Sequence, residues 1–417
     1  MKTVSIPWGC WYGNREERLF FPDSWDVQVA RIADARSLDV HEIEERLDSP
    51  IGSPPLSEIA RGKKTAGILV DDISRPTPAY QVLPLIVRRL EQAGLRRDSI
   101  IIVLALGAHR ALTRADMVKK LGEEIVSTVE VVNHHPYENL VSLGRSKMGT
   151  PVDINRRFME TDVKISVGCI LPHPTAGYGG GAKNVVPGVC GIETLRANHS
   201  TIYFDSDGKK LFHRAVGNPD NPLRHDMEDI ARMVGLAFIV NVVVNSRLGI
   251  AGLFAGDLVE AHRAGVRLAE KVYRTKLVEA ADIVVLNAYP KDTEFVQLGN
   301  VFNVIGTSNP GALVKGCGRT IVICTAATEG AGFHSLASPG MKLYTAYDNT
   351  MPPHGLQGTE VLLYSRTISE REAQPFFERK AFPLFRDWAN LLVRLKSKHT
   401  APAKVAVYPM APIQMGC

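Results

Sequence analysis

The sequence lacks the features that would place the protein in a membrane or in an oxidising compartment. No apolar run approaches the roughly 20 residues that a membrane-spanning helix needs. The first residues carry charges and no unbroken apolar core, so we expect no secretory signal peptide. The six cysteines are scattered and form no Cys-x-x-Cys pair, which argues against a disulfide framework or a structural zinc site. We therefore expect a cytoplasmic protein.

Three common ligand-binding motifs are also missing. The chain contains no GxxxxGK[ST] motif for phosphate, no GxGxxG motif for dinucleotides and no HExxH motif for zinc. Its net charge of +5 is spread along the chain rather than massed, so we expect no nucleic-acid partner. A mild positive excess suits a small anionic substrate or a phosphate-bearing cofactor.

Short apolar runs rich in β-branched residues predict strands, and helical patterns lie between several of them. One helix is predicted over residues 78–95, and Thr113 and Asp116 have the spacing of a capping box at the start of the next. Alternating strands and helices indicate the α/β class, with mostly parallel, Rossmann-like sheets. The predicted strands are residues 65–70, 100–106, 129–133, 163–170, 283–287, 320–325 and 404–408.

The 417 residues are enough for two domains, with the active site expected in the cleft between them. We place the main boundary near residue 275. Residues 1–275 would then form the catalytic and cofactor-binding domain, and residues 276–401 a second α/β domain that closes over the site. The strand at 404–408 suggests that residues 402–417 return to complete the first domain.

Polar residues follow three of the predicted strands. Asp71 and Asp72 come after the first, His109 after the second and His173 after the strand at 163–170. Because ligands bind outside the carboxyl ends of the strands in open α/β sheets, these segments are expected to converge on one site.

The densest candidate segment runs from His173 to Gly188 and contains a glycine-rich loop followed by Lys183. Glycines permit close backbone approach, and their N–H groups can bind phosphate. Taken alone, however, the segment fits a surface turn with a solvated lysine better. The flanking histidines and the preceding strand favour a functional site. The glycines of the loop are Gly177, Gly179, Gly180 and Gly181.

The other candidate residues each have a structural alternative. His109 can transfer a proton or can cap a turn. Arg75 can bind a substrate carboxylate, or its loop can simply begin a helix. His199 lies in a predicted short helix and lacks the partner residues of a protein-only metal site, although a metal with ligands from a cofactor would suit it. The His134-His135 pair is predicted to lie in a loop.

Taken together, these segments resemble the lactate racemase family. The matching patterns are Asp-Asp-x-x-Arg-Pro-Thr-Pro at 71–78, Gly-x-His-Arg at 107–110, Gly-Thr-Pro-Val-x-x-Asn-Arg at 149–156, His…Gly-Gly-x-Lys-x-x-x-Pro-Gly at 173–188 and Asn-His at 198–199. A weaker match, Tyr-Pro-x-Asp followed by Gln297, lies in the second half.

The resemblance implies a nickel-pincer nucleotide, a pyridinium mononucleotide whose two thio-carbonyl arms and ring carbon hold Ni(II). The position of Lys183 is linked to it covalently, and that of His199 supplies the remaining metal ligand. Imidazole and sulfur in a planar set suit Ni(II). Asp72 and the backbone of Gly179, Gly180 and Gly181 would bind the nucleotide.

The resemblance also implies a racemase or epimerase of a 2-hydroxy acid. Hydride leaves C2 for the cofactor and returns to the other face of a 2-keto acid, while His109 and His173 move the hydroxyl proton. Arg75 would hold the carboxylate, with Gln297 and Asn300 near the substrate. Lactate racemases have a lysine at the position of Asn300 and usually an aromatic residue at that of Val296, so the substrate need not be lactate.

Three alternatives remain open on the sequence. The first is a 2-epimerase of a longer sugar acid with the same cofactor, and the second is a pyridoxal-phosphate enzyme with Lys183 as its Schiff base. The third is a non-catalytic nucleotide-binding protein. The expected partners are a small anionic 2-hydroxy acid and the proteins that make and deliver the cofactor. The sequence does not determine the oligomeric state.

Overall fold

Parallel β-strands built from the short apolar runs form two separate sheets in the computed structural model, which describes residues 1–200, 215–305, 318–337, 358–373, 382–399 and 402–417. Each sheet belongs to one of two units that are compact by their internal contacts. The larger unit comprises Ala35–Glu270 and His334–Leu343. The smaller unit comprises Met1–Asp34, Lys271–Phe333 and Tyr344–Cys417. The predicted α/β class with mostly parallel sheets is confirmed.

The strands, in chain order, are β1 (Lys2–Trp8), β2 (Arg15–Phe21), β3 (Asp26–Val29), β4 (Ala66–Asp71), β5 (Ile100–Ala105), β6 (Glu130–Asn133), β7 (Leu140–Arg145), β8 (Pro151–Asn155), β9 (Val163–Cys169), β10 (Pro172–His173), β11 (Gly177–Tyr178), β12 (Phe238–Val244), β13 (Ile250–Gly256), β14 (Arg274–Thr275), β15 (Ile283–Asn287), β16 (Thr320–Cys324), β17 (Glu360–Tyr364), β18 (Leu384–Phe385), β19 (Lys404–Tyr408) and β20 (Met415–Gly416). All seven predicted strands are present, within two residues at either end.

The α-helices are α1 (Val40–Asp48), α2 (Leu56–Ile59), α3 (Ala79–Gln92), α4 (Arg114–Leu121), α5 (Glu123–Thr128), α6 (Arg156–Met159), α7 (Ile192–Ser200), α8 (Pro222–Val234), α9 (Glu260–Val272), α10 (Glu370–Ala373) and α11 (Trp388–Lys398). Short 3₁₀ segments cover Arg97–Ser99, Gly181–Asn184, Phe295–Ile305 and Ala331–Ala337. No helix in the described ranges is long and apolar enough to cross a bilayer.

The predicted start of α4 is confirmed at the level of single hydrogen bonds. The Thr113 hydroxyl accepts from the Asp116 N–H, and the Asp116 carboxylate accepts from the Thr113 N–H. This reciprocal capping satisfies two N–H groups that the first turn of a helix would leave unpaired. The helix predicted over 78–95 is α3.

The sheet of the larger unit has the order β13-β12-β9-β4-β5-β6, parallel except for its edge strand β13. β4, β5 and β9 are buried at every position, as expected for strands covered on both faces. Because these three strands are neighbours and run in the same direction, the segments after Asp71, Ala105 and Cys169 leave the same edge of the sheet. The chain order alone predicted this convergence.

The sheet of the smaller unit has the order β18-β17-β16-β15-β19-β3, and all its strands are parallel. One of its cores lies between this sheet, the β1–β2 hairpin and α11, where Trp8, Trp25 and Trp388 are buried. A second core contains Leu298, Val301 and neighbouring apolar residues of the 3₁₀ segment that begins at Phe295.

The two chain termini correct the predicted domain boundaries. β19 pairs with β15 and with β3, so residues 402–417 complete the smaller unit and not the N-terminal domain. Residues 1–34 also pack in the smaller unit, through β3 and the β1–β2 hairpin. The pairing of β3 with β19 is nonlocal in sequence, and the pattern of each strand carries no information about its partner. The boundary expected near residue 275 lies close to the division after Glu270.

Candidate active site

The turn after β4 places Asp72 where it holds His109. The buried Asp72 carboxylate accepts from the Ser74 N–H at 2.7 Å and from the Ser74 hydroxyl, and its other oxygen forms a short contact with His109 Nδ1. Burial raises the pKa of Asp72, but His109, Arg75 and Ser74 outweigh this effect and hold the pKa well below its usual range. Asp72 is therefore a carboxylate at neutral pH.

A carboxylate at Nδ1 determines what His109 can do. It favours the tautomer with the proton on Nδ1, which leaves Nε2 to accept or donate a proton. The loop that carries His109 is tied down by the Gly107 N–H, which donates to the Gly188 carbonyl at 2.8 Å. Gly107 has φ +57°, a backbone conformation that glycine adopts without strain. The structure thus brings together two of the sequence-predicted segments.

Asp71, the first of the two aspartates after β4, has a structural role. Its carboxylate forms a buried ion pair with Lys120 at 2.7 Å and accepts from the Thr77 hydroxyl at 2.6 Å. The Lys120 ammonium also donates to the carbonyls of Asp72, at 2.9 Å, and Arg75, at 2.8 Å. Lys120, which sequence analysis did not single out, therefore holds the whole turn.

Replacing Lys120 with methionine should lower the stability of the protein by about 3–5 kcal/mol, because it leaves Asp71 as a buried carboxylate without its partner. The measurement is urea unfolding followed by circular dichroism. The matched control is Lys119→Met at the adjacent exposed position, which should change stability by at most about 0.5 kcal/mol. Equal unfolding midpoints for the two variants would show that Lys120 does not hold the turn.

The glycine-rich loop packs against the sheet. The Gly179 N–H donates to the Leu171 carbonyl at 2.7 Å, and the Gly181 N–H donates to Asn241 Oδ1 at 2.7 Å. A Cβ atom at Gly180 would lie 2.8 Å from the same Asn241 oxygen. The N–H groups of Gly179 and Gly181 are therefore already used within the protein, and the predicted phosphate contact has no free donor at these two positions. Close packing explains the glycines instead.

A buried guanidinium stabilises the same glycine-rich loop. Arg224 in α8 donates to the carbonyl of Gly180 at 3.0 Å and to those of Ala176 and Tyr178. Sequence analysis missed Arg224, although a signal was present. It shares a face of the amphipathic helix with Met227 and Ala231, where a charged residue needs a buried partner.

Lys183 lies at the end of this loop and is almost fully buried. Burial, followed by the charges of Arg224 and Arg75, lowers the pKa of Lys183 well below its usual range. Its amine therefore loses its proton more readily than an ordinary lysine amine and suits nucleophilic attack on a carbonyl carbon. The alternative of a solvated surface lysine is wrong.

His199 follows in α7, together with Asn198. Burial lowers the pKa of His199 to about 3, with the charge of Lys183 acting in the same direction, so the imidazole is neutral. Both amide atoms of Asn198 are buried and have no hydrogen-bond partner among the described residues. A neutral imidazole near the buried amine of Lys183 fits a cofactor that carries a metal.

A metal at this position would need further ligands from the cofactor. In the part of the chain that the structure describes, no three side chains of His, Cys, Asp or Glu lie close enough to bind an ion. His199 and Lys183 therefore suit a cofactor that brings its own metal ligands better than a free metal ion.

His173 and Arg75 complete the candidate residues of the larger unit. His173 ends β10, and its Nδ1 accepts from the N–H groups of Thr175 at 3.3 Å and Ala176 at 3.2 Å. Any proton transfer by His173 therefore falls to Nε2. The half-buried Arg75 donates to the Ser74 hydroxyl at 2.9 Å, and its charge acts on both Asp72 and Lys183. Arg75 thus provides positive charge close to the base and the amine.

Gln297 and Asn300 lie in the smaller unit and contact each other. The Asn300 amide donates to Gln297 Oε1 at 2.8 Å, and Lys291 donates to Asn300 Oδ1 at 3.4 Å. All three side chains are buried. Lys291, which sequence analysis did not select, places a positive charge beside the uncharged amide of Asn300.

His134 is a structural histidine. Its Nε2 pairs with the Cys190 carbonyl at 2.9 Å and its Nδ1 with the Asn155 amide at 3.2 Å. Burial lowers the pKa of His134 to about 4.

Comparison with known proteins shows extensive similarity to lactate racemases. The family model described as the lactate racemase N-terminal domain matches residues 12–211. The lactate racemase of Lactiplantibacillus plantarum is 33% identical over 303 residues, which cover 71% of this chain and 69% of that protein. The lactate racemase of Thermoanaerobacterium thermosaccharolyticum is 30% identical over 341 residues, covering 80% and 76% respectively.

Two solved structures share the fold. The lactate racemase apoprotein from Thermoanaerobacterium thermosaccharolyticum aligns over the whole of both chains, with a TM-score of 0.74 and 23% identity. A protein from Thermotoga maritima aligns over 92% of this chain and 99% of its own, with a TM-score of 0.65 and 17% identity.

Proposed function

The chain belongs to the lactate racemase family, and from that premise we propose that it inverts C2 of a small 2-hydroxy acid with a nickel-pincer nucleotide bound covalently to Lys183. The observation that carries the proposal is the burial of the Lys183 amine, whose pKa is lowered well below its usual range, near enough to His199 to act electrostatically on its neutral imidazole. Both lie in the same unit as the Asp72–His109 pair.

Lys183 and His199 are the residues that would hold the cofactor. A buried amine with a lowered pKa is suited to form a thioamide link, and a neutral imidazole can serve as a nickel ligand. When bound, the cofactor supplies a reversible hydride acceptor, so that C2 becomes the planar carbon of a 2-keto acid. The remaining chemistry is proton transfer and orientation, which fall to side chains of this chain.

His109 takes the hydroxyl proton of one enantiomer at Nε2. Asp72 stays ionised, keeps the ring in the productive tautomer and stabilises the imidazolium that forms. His173 would play the same part for the other enantiomer, whose hydroxyl group points in a different direction. Arg75 would hold the substrate carboxylate in place while the two faces of C2 exchange.

The substrate is expected to be a small anionic 2-hydroxy acid. In the smaller unit, the Gln297–Asn300 pair offers amide groups, which can hydrogen-bond a polar substituent. A longer hydroxylated acid is therefore the second candidate substrate, and its C2 would be inverted by the same chemistry. Cofactor-delivery proteins are the expected macromolecular partners.

The test uses full-length protein from cells that make the cofactor. Intact mass spectrometry should show one adduct on Lys183, metal analysis should show one nickel per adduct, and chiral chromatography should show exchange of enantiomers for at least one 2-hydroxy acid in a panel. A pyridoxal adduct without nickel would replace the proposal with Schiff-base chemistry. Fully loaded protein that exchanges no 2-hydroxy acid would reject it.

A further inference from the structure

A third imidazole lies against His109. The rings of His109 and His334 have their centroids 4.4 Å apart and their planes at 71°, an edge-to-face arrangement. His334 stands where two short helical turns of the Ala331–Ala337 segment meet at a kink, and it belongs to the larger unit. Sequence analysis did not single it out, because nothing in the spacing around it marks a motif.

A backbone hydrogen bond holds the two segments that carry His109 and His334 together. The Leu336 N–H donates to the Ala108 carbonyl at 3.2 Å, which ties the His334 segment to the residue before His109. The Leu336 side chain packs on the apolar core of the larger unit. The His334 ring is therefore held by its own segment at a fixed place beside the His109 loop.

A base in a racemase needs its ring plane fixed as well as its tautomer. The χ2 torsion of histidine is broad, and one hydrogen bond at Nδ1 still allows the ring plane to rock about that bond. An edge-to-face neighbour restricts this motion, since such pairs prefer a definite angle between their planes.

We propose that His334 is a positioning residue for His109, holding the imidazole from its ring side while Asp72 holds it at Nδ1. The inference rests on the proposed function, in which His109 Nε2 exchanges a proton with the substrate hydroxyl. A displacement of about 1 Å in a reacting group can lower a rate about 100-fold, so this contact is expected to affect turnover more than binding.

The arrangement fits positioning better than a third base. Two imidazoles at this separation disfavour simultaneous protonation, because like charges repel. A neutral ring that packs edge-to-face needs no ionisable nitrogen, and this gives the experiment its conservative variant.

The first test compares His334→Ala with His334→Phe in the cofactor-loaded enzyme. His334→Ala should lower kcat about 10-fold to 100-fold with KM within about twofold, and His334→Phe should restore kcat to within about threefold of the parent. Ser335→Ala, at the exposed neighbouring position, is the matched control. An unchanged kcat in His334→Ala would overturn the inference, and so would a phenylalanine variant as slow as the alanine variant.

The second test needs neither cofactor nor substrate. In cofactor-free protein labelled with ¹⁵N-histidine, the His109 Nδ1 proton bonded to Asp72 should give a far-downfield signal that is absent in Asp72→Asn. His334→Ala should broaden this signal or speed its exchange with water, whereas His334→Phe should keep it. A signal unaffected by His334→Ala would overturn the inference even in an active racemase. A changed signal in a protein that racemises nothing would support it and reject only the proposed function.

Discussion

Replacing Lys183 with methionine is expected to abolish cofactor attachment and racemisation while raising the stability of the cofactor-free protein. The first effect follows because the variant has no amine to form the covalent link. The second follows because Lys183 is buried with a lowered pKa, so folding must remove its proton and its water. Replacing it with an apolar side chain of similar length should add about 1–3 kcal/mol, the cost of burying a polar group.

The pH dependence has a definite sign. In the unfolded chain, Lys183 binds a proton below its ordinary pKa of 10.5, whereas the folded protein holds it uncharged down to a lower pH. The stability penalty is therefore present at neutral pH and shrinks as the pH rises towards 10.5. The stability difference between Lys183→Met and the parent should shrink in the same way.

Intact mass, a chiral assay and thermal unfolding at several pH values measure these effects. Lys147→Met is the matched control, since the Lys147 side chain is 87% exposed and its ion pair with Asp229 lies on the surface. It should keep the adduct, the activity and the stability of the parent. An adduct that persists in Lys183→Met would place the covalent link elsewhere.

The sequence predicted the parts of this protein that depend on local pattern. Buried parallel strands are continuous apolar runs, so β4, β5 and β9 could be located, and the direction of the chain through them predicted where their polar ends meet. The Asp72–His109 contact follows from that topology. The pairing of β3 with β19 could not be predicted, because strand order over long sequence separations is not encoded in the pattern of either strand.

The residues that sequence analysis missed are those whose partners are backbone groups or rings. Lys120 and Arg224 bind main-chain carbonyls, which leave no trace in the sequence. His334 acts through a ring contact whose partner is more than two hundred positions away. The glycines of the loop were selected as phosphate-binding residues, whereas the structure shows that close packing requires them. Both roles call for the same residue type, so the sequence could not distinguish them.

Replacing His109 with alanine should leave the adduct on Lys183 intact and lower racemisation about 10²-fold to 10⁴-fold, the usual contribution of a positioned general base. The two-histidine arrangement predicts a finer result in single turnovers. If each histidine serves one enantiomer, His109→Ala should still form 2-keto acid from one enantiomer only, and His173→Ala from the other only. Product formation from both enantiomers by either variant would reject the two-base assignment.

Asp72→Asn keeps His109 in place but changes the side chain that sets its tautomer. An amide can donate to Nδ1 as readily as it can accept from it, and a donated hydrogen bond would place the ring proton on Nε2, where it blocks the base. The variant also removes the charge that stabilises the imidazolium. We expect kcat to fall at least about 100-fold with little change in KM.

His225→Ala is the matched control, since His225 is exposed and its ion pair with Asp220 lies at the surface. Because the amide of Asp72→Asn does not titrate, raising the pH should not restore the activity of this variant, and recovery at high pH would show that the carboxylate does not set the tautomer.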